Sequence, residues 1–390
     1  MQNQAWLEID LQAIAHNCRE VKRLVNENTR FMAVVKANAY GHGDIQVAKT
    51  ALKNGADSLA VARLQEGVRL RQAGIQAPIL IFGLTLPEDF HQLVEHDLMQ
   101  TVYDLQTARA LSEKAQHLGK TIKSHIKVDT GMGRLGLNIV PDDKSTQTYN
   151  YCTLHSLTEI SALPGLKIEG LFTHFAQADS PDKSYTWEQL RRFLNFASDL
   201  KQKGIKIPIL HAANSAASID MQETHLDMVR PGIMLYGFYP TQQQNHSHIH
   251  LEPAMHFKAR IIQIKDVPAG FQVSYGSTYT TPAPTRLATL SVGYADGYPR
   301  ILSSRGWVLL RGCRVPVVGR VCMDQTVIDI GRMENVLPGE EVVIFGKQGK
   351  NILPVEEIAE ACSTIHYEIV SSIPARVPRI FYTQGAEKSC

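Results

Sequence analysis

Residues 31–43 read FMAVVKANAYGHG, an apolar run that ends at a single lysine. The run over 31–35 has the length of a buried strand and places Lys36 at its carboxyl end. A lysine there is partly removed from water, which lowers its pKa and makes its amine a usable nucleophile or base. Tyr40 adds a hydroxyl, and Gly41 and Gly43 let the backbone approach a ligand closely. From position alone, a lysine that extends to the surface is the alternative.

Seven further apolar runs resemble the first one in length and are predicted to be strands. They cover residues 58–62, 79–82, 99–103, 122–128, 167–173, 207–210 and 227–229. Segments with helical periodicity, such as 64–72, 88–96, 105–119 and 187–204, lie between them. Glycines are predicted to end several of these helices. Eight strand-then-helix units in about 235 residues predict a (β/α)8 barrel, with a doubly wound open sheet as the alternative.

The composition is that of an ordinary globular protein, with 390 residues, 44% hydrophobic and 20% charged, and a formal charge of +2. This length favours two domains, and the charge gives no reason to expect nucleic acid. No leader sequence or bilayer-spanning stretch is visible, so we expect a cytoplasmic protein with no membrane contact. The six cysteines are scattered without a C-x-x-C pair, which predicts neither disulfides nor a zinc site.

Residues 239–253, rich in glutamine and histidine, are predicted to connect the two domains. From Met255 onward apolar and polar residues alternate as in strands, and further runs at 287–292, 307–310, 315–318, 326–330 and 341–345 are predicted to be strands. Only the segment around 356–362 is predicted to be a helix there. We therefore expect a barrel over 1–240 and a mainly β domain over 241–390, with residues 1–9 a candidate to pair with the latter.

Alternating histidines stand in this connection at His246, His248 and His250. Imidazoles are good ligands for several metals, which makes a metal site one interpretation. Alternating histidines in a polar linker are usually solvated, however, and we therefore predict no metal.

Polar residues recur where the predicted barrel strands end. They are Lys36 after the first strand, Lys127 at the end of the fifth and Arg134 in the turn that leaves it, His174 after the sixth, His211 after the seventh and Arg230 after the eighth. Barrel enzymes assemble their active sites at the carboxyl ends of the strands. Each residue alone could be a rim residue in an ion pair, but together they predict an active site.

The turns after the last two strands add a predicted phosphate site. Asn214 and Ser215 open a helix after the seventh strand, and Gly232 and Ile233 follow the eighth. They offer a hydroxyl and free backbone N–H groups where barrels commonly hold a phosphate. A lysine amine beside a phosphate site suggests pyridoxal phosphate as the cofactor.

The chain closely resembles the alanine racemases, which are fold-type III pyridoxal-phosphate enzymes. The matching motifs span almost the whole length and are AVVKANAYGHG (33–43), KVDTGMGRLG (127–136), THFAQAD (173–179), HAANSA (211–216), RPGI (230–233), VSYGSTY (273–279), GYADG (293–297), RVCMDQ (320–325) and YEI (367–369). A stretch without a family match, residues 142–159, is predicted to lengthen the loop after the fifth strand.

The resemblance implies two catalytic bases. Lys36 would hold the cofactor covalently and remove the α-proton of the D-antipode, while Tyr275 would serve the opposite face. Racemisation exchanges a proton on both faces of a planar carbanion, and two positioned bases avoid moving one base across the ring. In the family, the histidine that matches His174 bonds to this tyrosine. The tyrosine comes from the partner subunit, which implies a homodimer with shared active sites.

The resemblance also implies the binding roles. Arg230, oriented by His211, would face the pyridine nitrogen and only donate to it, because an arginine stays charged. Lys127 matches a lysine that carries a carbamate in many relatives. A carbamate would replace the positive charge of Lys127 with a negative charge that pairs with Arg134. The other implied roles are phosphate binding by Tyr40, Ser215, Gly232, Ile233 and Tyr367, cofactor contact by Asn214 and His174, bonding of the cofactor's phenolic oxygen by Arg134, binding of the substrate carboxylate by Arg134 and the Met323 amide, and support by Tyr294.

The implied activity is the interconversion of L-alanine and D-alanine, which supplies D-alanine for peptidoglycan. One alternative is a related decarboxylase or a broad-specificity racemase. A decarboxylase would offer a carboxylate in place of Arg230, and a broad-specificity racemase would normally carry an export signal. Another is a non-enzymatic cofactor carrier, which would lack a second domain bearing Tyr275 and Met323.

Overall fold

The computed structural model describes residues 3–140, 151–241, 248–331 and 333–383, and only the backbone of residues 151 and 152. His246 and Cys390 lie outside this part. The chain forms two compact units. The first comprises Ala13–Ala39 and Asp44–Glu252, and the second comprises the residues before Ala13, Tyr40–Gly43 and those from Pro253 onward. No helix in the described ranges is long and apolar enough to cross a bilayer.

The first unit contains a barrel of eight parallel strands, which confirms the predicted fold. In chain order its strands are β2 (Arg30–Val34), β3 (Ser58–Val61), β4 (Ile79–Ile81), β5 (Met99–Val102), β6 (Ile122–Asp129), β8 (Leu166–Phe172), β9 (Ile209–His211) and β10 (Met228–Val229), and a short strand, β7 (Leu137–Asn138), pairs with β6. In space they follow one another in the order β10-β2-β3-β4-β5-β6-β8-β9. The Asp227 N–H donates to the Leu210 carbonyl at 3.1 Å, and this bond joins the last strand to its neighbour. The first strand of the chain, β1 (Ala5–Asp10), is not part of this barrel sheet.

The barrel strands are buried because side chains fill the interior and helices cover the outside. Every residue of β3, β4 and β5 is buried. Strands buried on both faces have near-continuous apolar sequences without alternation, which is why short runs were enough to predict them.

Helices connect the barrel strands and end where the sequence predicts. Asp10 caps the first helix, because its carboxylate accepts a hydrogen bond from the Gln12 N–H at 2.8 Å. Gly74, Gly119 and Gly204 end three later helices with φ of 84°, 59° and 79°. The helices are α1 (Leu11–Leu24), α2 (Asp44–Lys53), α3 (Leu64–Gln72), α4 (Phe90–Glu95), α5 (Leu105–His117), α6 (Tyr151–Ala162), α7 (Ser184–Gln202) and α8 (Ser215–Asp220).

The second unit is mainly β, as predicted. Its main sheet has the order β16-β15-β18-β11-β1-β20, with β14 paired to β11 and β17, and β19 paired to β18. β1 runs antiparallel to β11 and parallel to β20. The strands are β11 (Met255–Val267), β12 (Gln272–Val273), β13 (Tyr279–Thr280), β14 (Thr285–Leu290), β15 (Trp307–Leu310), β16 (Cys313–Pro316), β17 (Thr326–Gly331), β18 (Glu341–Gln348), β19 (Asn351–Leu353) and β20 (Arg379–Tyr382).

Two sequence predictions of secondary structure are wrong. The described part of the stretch predicted as loop, from 151, belongs to α6, where Leu154, Leu157 and Ile160 are buried at helical spacing. The helix predicted near 356–362, α9 (Val355–Ala361), is followed by α10 (His366–Ser371). α10 spans only six residues, too few for its apolar period to be recognised.

Candidate active site

Lys36 follows β2 and begins a turn with an unusual backbone. Residues 37–39 have φ between 52° and 53°, in the left-handed region that costs an ordinary residue about 1–2 kcal/mol. The turn is held from α3, where Glu66 Oε1 accepts a hydrogen bond from the Ala37 N–H at 2.6 Å. Strain of this kind persists where the surrounding structure imposes it, and it concentrates at functional sites.

The Lys36 amine is half-buried, and its surroundings favour the neutral form. Burial lowers its pKa most, the positive charge of Arg134 lowers it further, and Glu66 opposes both effects. A lower pKa increases the fraction of free amine at neutral pH, which is the form that attacks a carbonyl or accepts a proton.

A line of hydrogen bonds runs from Arg230 through two histidines. Arg230 Nη1 donates to His211 Nδ1 at 2.9 Å, and Nη2 donates to the carbonyls of Thr173 at 2.7 Å and Ala212 at 3.0 Å. Because a guanidinium only donates, His211 Nδ1 is the acceptor and its Nε2–H points to His125 Nδ1, 2.8 Å away. The arginine therefore fixes the tautomer of both imidazoles.

Burial keeps this line in one charge state at neutral pH. It lowers the pKa of Arg230 to about 9, so the guanidinium stays protonated. It also lowers the pKa of His125 to about 3, with the charges of Arg230 and Arg30 adding to the effect. The pKa of His211 falls well below its ordinary value for the same reasons, burial first and Arg230 next. One cation thus faces two neutral imidazoles.

His174, just beyond β8, reports the electrostatic character of the site. Its pKa is lowered well below the ordinary value, first by burial and then by four positive charges, those of Arg230, Lys127, Arg134 and Lys36. The basic side chains gathered around this neutral imidazole create a positive potential, to which Lys36 and Lys127 contribute less than the arginines because burial lowers the pKa of both lysines. The arrangement therefore suits a ligand with several negative charges.

Lys127 is buried on β6 among these cations. Its pKa is lowered to about 8, by burial first and then by Arg230 and Arg134, while Asp129 opposes the shift. Its Nζ lies 5.3 Å from the centroid of the Phe172 ring, which the Arg230 guanidinium faces at the same distance.

The loop that carries Arg134 is organised by Asp129. The Asp129 Oδ1 atom accepts from the Gly131 N–H at 2.8 Å, and Oδ2 accepts from the Gly133 N–H at 2.9 Å. Gly131 has a φ of 127°, and a Cβ there would lie 2.2 Å from the Tyr185 hydroxyl oxygen. The path of the loop therefore requires a glycine at this position. Arg134 lies at the end of the loop and is exposed.

The predicted phosphate residues come together from two separate turns. Asn214 caps α8 by accepting from the Ala217 N–H at 3.0 Å. The buried Ser215 Oγ accepts from the Gly232 N–H at 2.8 Å, which links the turn after β9 to the turn after β10. Ile233 follows directly and is buried.

Three predicted site residues lie on exposed loops of the second unit. They are Tyr275, Tyr294 and Met323, with 72%, 41% and 54% of their surface exposed. Ser274 Oγ donates to the Arg320 carbonyl at 2.7 Å, and the Tyr294 N–H donates to the Cys322 carbonyl at 3.0 Å. The first bond links the residue before Tyr275 to the segment before Met323, and the second links Tyr294 to that same segment.

Tyr40 and Tyr367 also contact each other within the second unit. Their ring centroids are 6.2 Å apart. Burial raises the pKa of Tyr40 to about 12, so its hydroxyl stays protonated and can donate a hydrogen bond at neutral pH.

Sequence reasoning missed residues that organise this site, among them Glu66, His125 and Gln189. His125 lies two positions before Lys127 on β6. Because alternate residues of a strand share a face, the sequence could have placed His125 on the same face as Lys127. Gln189 of α7 gave no signal: its Oε1 accepts from the Ala176 N–H at 2.9 Å and its Nε2 donates to the His174 carbonyl at 3.2 Å. It thereby fixes the backbone around His174.

Comparison with known families gives matches over nearly the whole chain. The family model described as the alanine racemase N-terminal domain matches residues 9–240, and the alanine racemase C-terminal domain matches residues 254–381.

Individual relatives agree with these matches. An alanine racemase of Desulfosudis oleivorans is 52% identical over 378 residues, covering 97% of this chain and 96% of the relative. The structure of an alanine racemase from Clostridium difficile 630 superposes with a TM-score of 0.91 at 39% identity, covering 98% of this chain and 97% of that one. An alanine racemase from Bacillus anthracis with bound L-Ala-P gives 0.90 at 39% identity, covering 99% and 97%.

Proposed function

The chain belongs to the alanine racemase family, and on that premise we propose that it interconverts L-alanine and D-alanine with pyridoxal phosphate as its cofactor. One observation carries the proposal most directly. Arg230 is buried, protonated at neutral pH and held by His211 at the end of the barrel. A guanidinium in this place gives no proton to a ring nitrogen, which favours return of a proton to the α-carbon over transamination.

The residues present fit this cofactor. The three hydrogen bonds of Arg230 use three of its five N–H groups, so that within the described contacts Nε–H and one Nη1 hydrogen remain for a ring nitrogen. Ser215 and Ile233 would supply a hydroxyl and a backbone N–H group for the phosphate, with Asn214 supporting the turn. The Gly232 N–H, which donates to Ser215 Oγ at 2.8 Å, would exchange that bond for one to the phosphate. The gathered cations balance the negative charge of the phosphate. Phosphate contacts by Tyr40 and Tyr367 stay predictions.

Pyridoxal phosphate, when bound, acidifies the α-proton of the amino acid joined to it. Lys36 would hold the cofactor covalently in the resting enzyme and would then act as a base on one face of the α-carbon. Its lowered pKa keeps part of the amine neutral and ready to accept that proton. Tyr275 exchanges the proton on the opposite face.

The carboxylate of alanine is bound by Arg134, which stands at the end of the Asp129 loop, and by the Met323 amide. A guanidinium suits a carboxylate because it donates two parallel hydrogen bonds. Lys127 is a candidate for carbamylation, since a pKa of about 8 leaves part of the amine free to react with carbon dioxide. The resulting negative charge would pair with Arg134.

The active unit is a homodimer in which Tyr275 acts on the partner's cofactor. Tyr275 is 72% exposed and follows Ser274, whose φ of 63° lies in the left-handed region, so a strained backbone at Ser274 presents the exposed tyrosine. A two-fold dimer would create two identical composite sites from one self-complementary contact. The cytoplasmic location and the supply of D-alanine to peptidoglycan belong to the same proposal.

The test is incubation of the cofactor-loaded protein with L-alanine, followed by chiral chromatography. D-alanine should accumulate until the antipodes are equal, because they have equal free energy in water. Lys36→Ala is the control and should lose at least about a thousandfold in rate, because it removes the covalent link and one base. Absence of D-alanine with the wild-type protein would reject the proposal.

A further inference from the structure

Three side chains of metal-binding type meet where the domain connection passes the first helix. His16 lies on α1, while His250 and Glu252 belong to the connection. One potential ligand atom from each lies within 4.8 Å of the other two. None of the three has a part in the racemisation proposed above.

The hydrogen bonding of His16 leaves one ring nitrogen facing the carboxylate. His16 Nε2 lies 2.9 Å from the carbonyl oxygen of His250. A carbonyl can only accept, so Nε2 carries the hydrogen and Nδ1 of the neutral ring has the free electron pair. Nδ1 lies 3.9 Å from Glu252 Oε1, which is also an acceptor. Metal-binding histidines commonly donate their second N–H to a backbone carbonyl in this way.

The backbone of the connection is fixed to the same helix. Asn17 Oδ1 accepts from the Glu252 N–H at 2.8 Å, and Asn17 Nδ2 donates to the Glu252 carbonyl at 2.9 Å. Glu20 Oε2 accepts from the His250 N–H at 3.1 Å. His250 and Glu252 are therefore held next to His16 before any ligand binds, which reduces the entropy lost on binding.

The distances suit a small cation after a modest side-chain movement. Tetrahedral zinc with nitrogen and oxygen ligands at about 2.0–2.2 Å places its ligand atoms roughly 3.4 Å apart. The ligand atoms now lie within 4.8 Å of one another, so these separations must shorten by up to about 1.4 Å. The exposed side chain of His250 can supply most of that movement by rotation.

We propose that His16, His250 and Glu252 form a binding site for a zinc-type divalent cation, with water completing the coordination. Two imidazoles and one carboxylate are a common donor set for such ions. The bound ion would tie the domain connection to α1 and stabilise the folded state by mass action. The alternative is that no ion binds and that His16 and Glu252 interact only with each other.

The test is calorimetric titration of the cofactor-loaded, chelator-treated protein with zinc chloride. His250→Ala and Glu252→Gln should each weaken binding at least about tenfold. His248→Ala is the matched control, because that histidine is also exposed in the connection and has one ring nitrogen 3.1 Å from the Ile219 carbonyl. It should bind zinc like the wild type. Zinc should also raise the melting temperature of the wild type and of His248→Ala more than that of the other two variants.

Racemase activity without added metal should be unchanged in His250→Ala, which shows that the variant is folded. The proposal is overturned if the wild type takes up no zinc. It is equally overturned if His250→Ala and Glu252→Gln bind zinc as tightly as the wild type, since the metal would then lie elsewhere, for example at the exposed thiol of Cys313.

Discussion

At the scale of single residues, this site is defined by the position of protons. Arg230 can only donate, so its bond to His211 Nδ1 determines the tautomer of His211 and then of His125. His125 touches no proposed ligand itself. Its role is to hold His211 in the orientation that fixes Arg230.

Replacement of His125 tests this positioning role. In His125→Leu the buried Nε2–H of His211 loses its acceptor, which costs about 1–3 kcal/mol and should lower kcat roughly tenfold or more. His125→Asn offers an amide oxygen near the position of Nδ1 and should retain most of kcat. The comparison requires kcat, KM and the cofactor absorbance of both variants. Equal losses in both would indicate a merely structural role for the residue.

Lys127 gives a prediction about stability and pH. Its pKa is lowered from 10.5 to about 8, so the unfolded chain binds more protons between these two values. Stability therefore rises with pH across that window, and the cost of burying the charged amine is fully present below pH 8. At 1.36 kcal/mol per pKa unit, this cost is roughly 3 kcal/mol.

Lys127→Met should remove that cost. Urea unfolding in buffers free of carbon dioxide gives the free energy of unfolding of both proteins. The value for the variant minus that for the wild type should be about 2–3 kcal/mol larger at pH 7.5 than at pH 10. A difference between the two proteins that did not change with pH would mean that the folded-state pKa of Lys127 is not lowered.

At the scale of elements, the turn after Lys36 is the feature that the sequence did not predict. Residues 37–39 are alanines and asparagine, and alanine favours the right-handed helix. Their left-handed conformation is imposed by contacts distant in sequence, such as that of Glu66 with the Ala37 N–H. Local preference could not reveal it.

Ala37→Gly should therefore stabilise the protein by about 0.5–1 kcal/mol, because glycine adopts positive φ without a steric cost. Ala110→Gly, in the right-handed helix α5, is the matched control and should destabilise by about 1 kcal/mol. Urea unfolding of both cofactor-loaded variants measures the two changes. A loss of stability in both would show that residue 37 is not strained.

Burial and element length decide which other features are predictable from the sequence. The barrel strands were found because burial on both faces gives continuous apolar runs, as in Ile79–Ile81. α10 was missed because its buried residues span little more than one turn. Lys127 is predictable from its position at a strand end, whereas Gln189 acts through bonds to the segment after β8 that only the folded chain reveals.

At the scale of the whole molecule, the proposed dimer predicts complementation between inactive variants. Lys36→Ala and Tyr275→Phe should each be nearly inactive, but a mixed dimer would hold one site with both native residues. After random subunit exchange half of the dimers are mixed, so activity should return to at most about a quarter of the wild type per subunit. Verified subunit exchange without recovery would place Tyr275 at its own subunit's cofactor.

The most direct test of the two-base account is the exchange of the α-proton with solvent deuterium, measured separately for each antipode of alanine in Tyr275→Phe. Lys36 remains in this variant and still faces the α-proton of D-alanine. Exchange from D-alanine should therefore exceed exchange from L-alanine by at least about tenfold, whereas the wild type exchanges both rapidly. Equal residual exchange from the two antipodes would contradict the assignment of one base to each face.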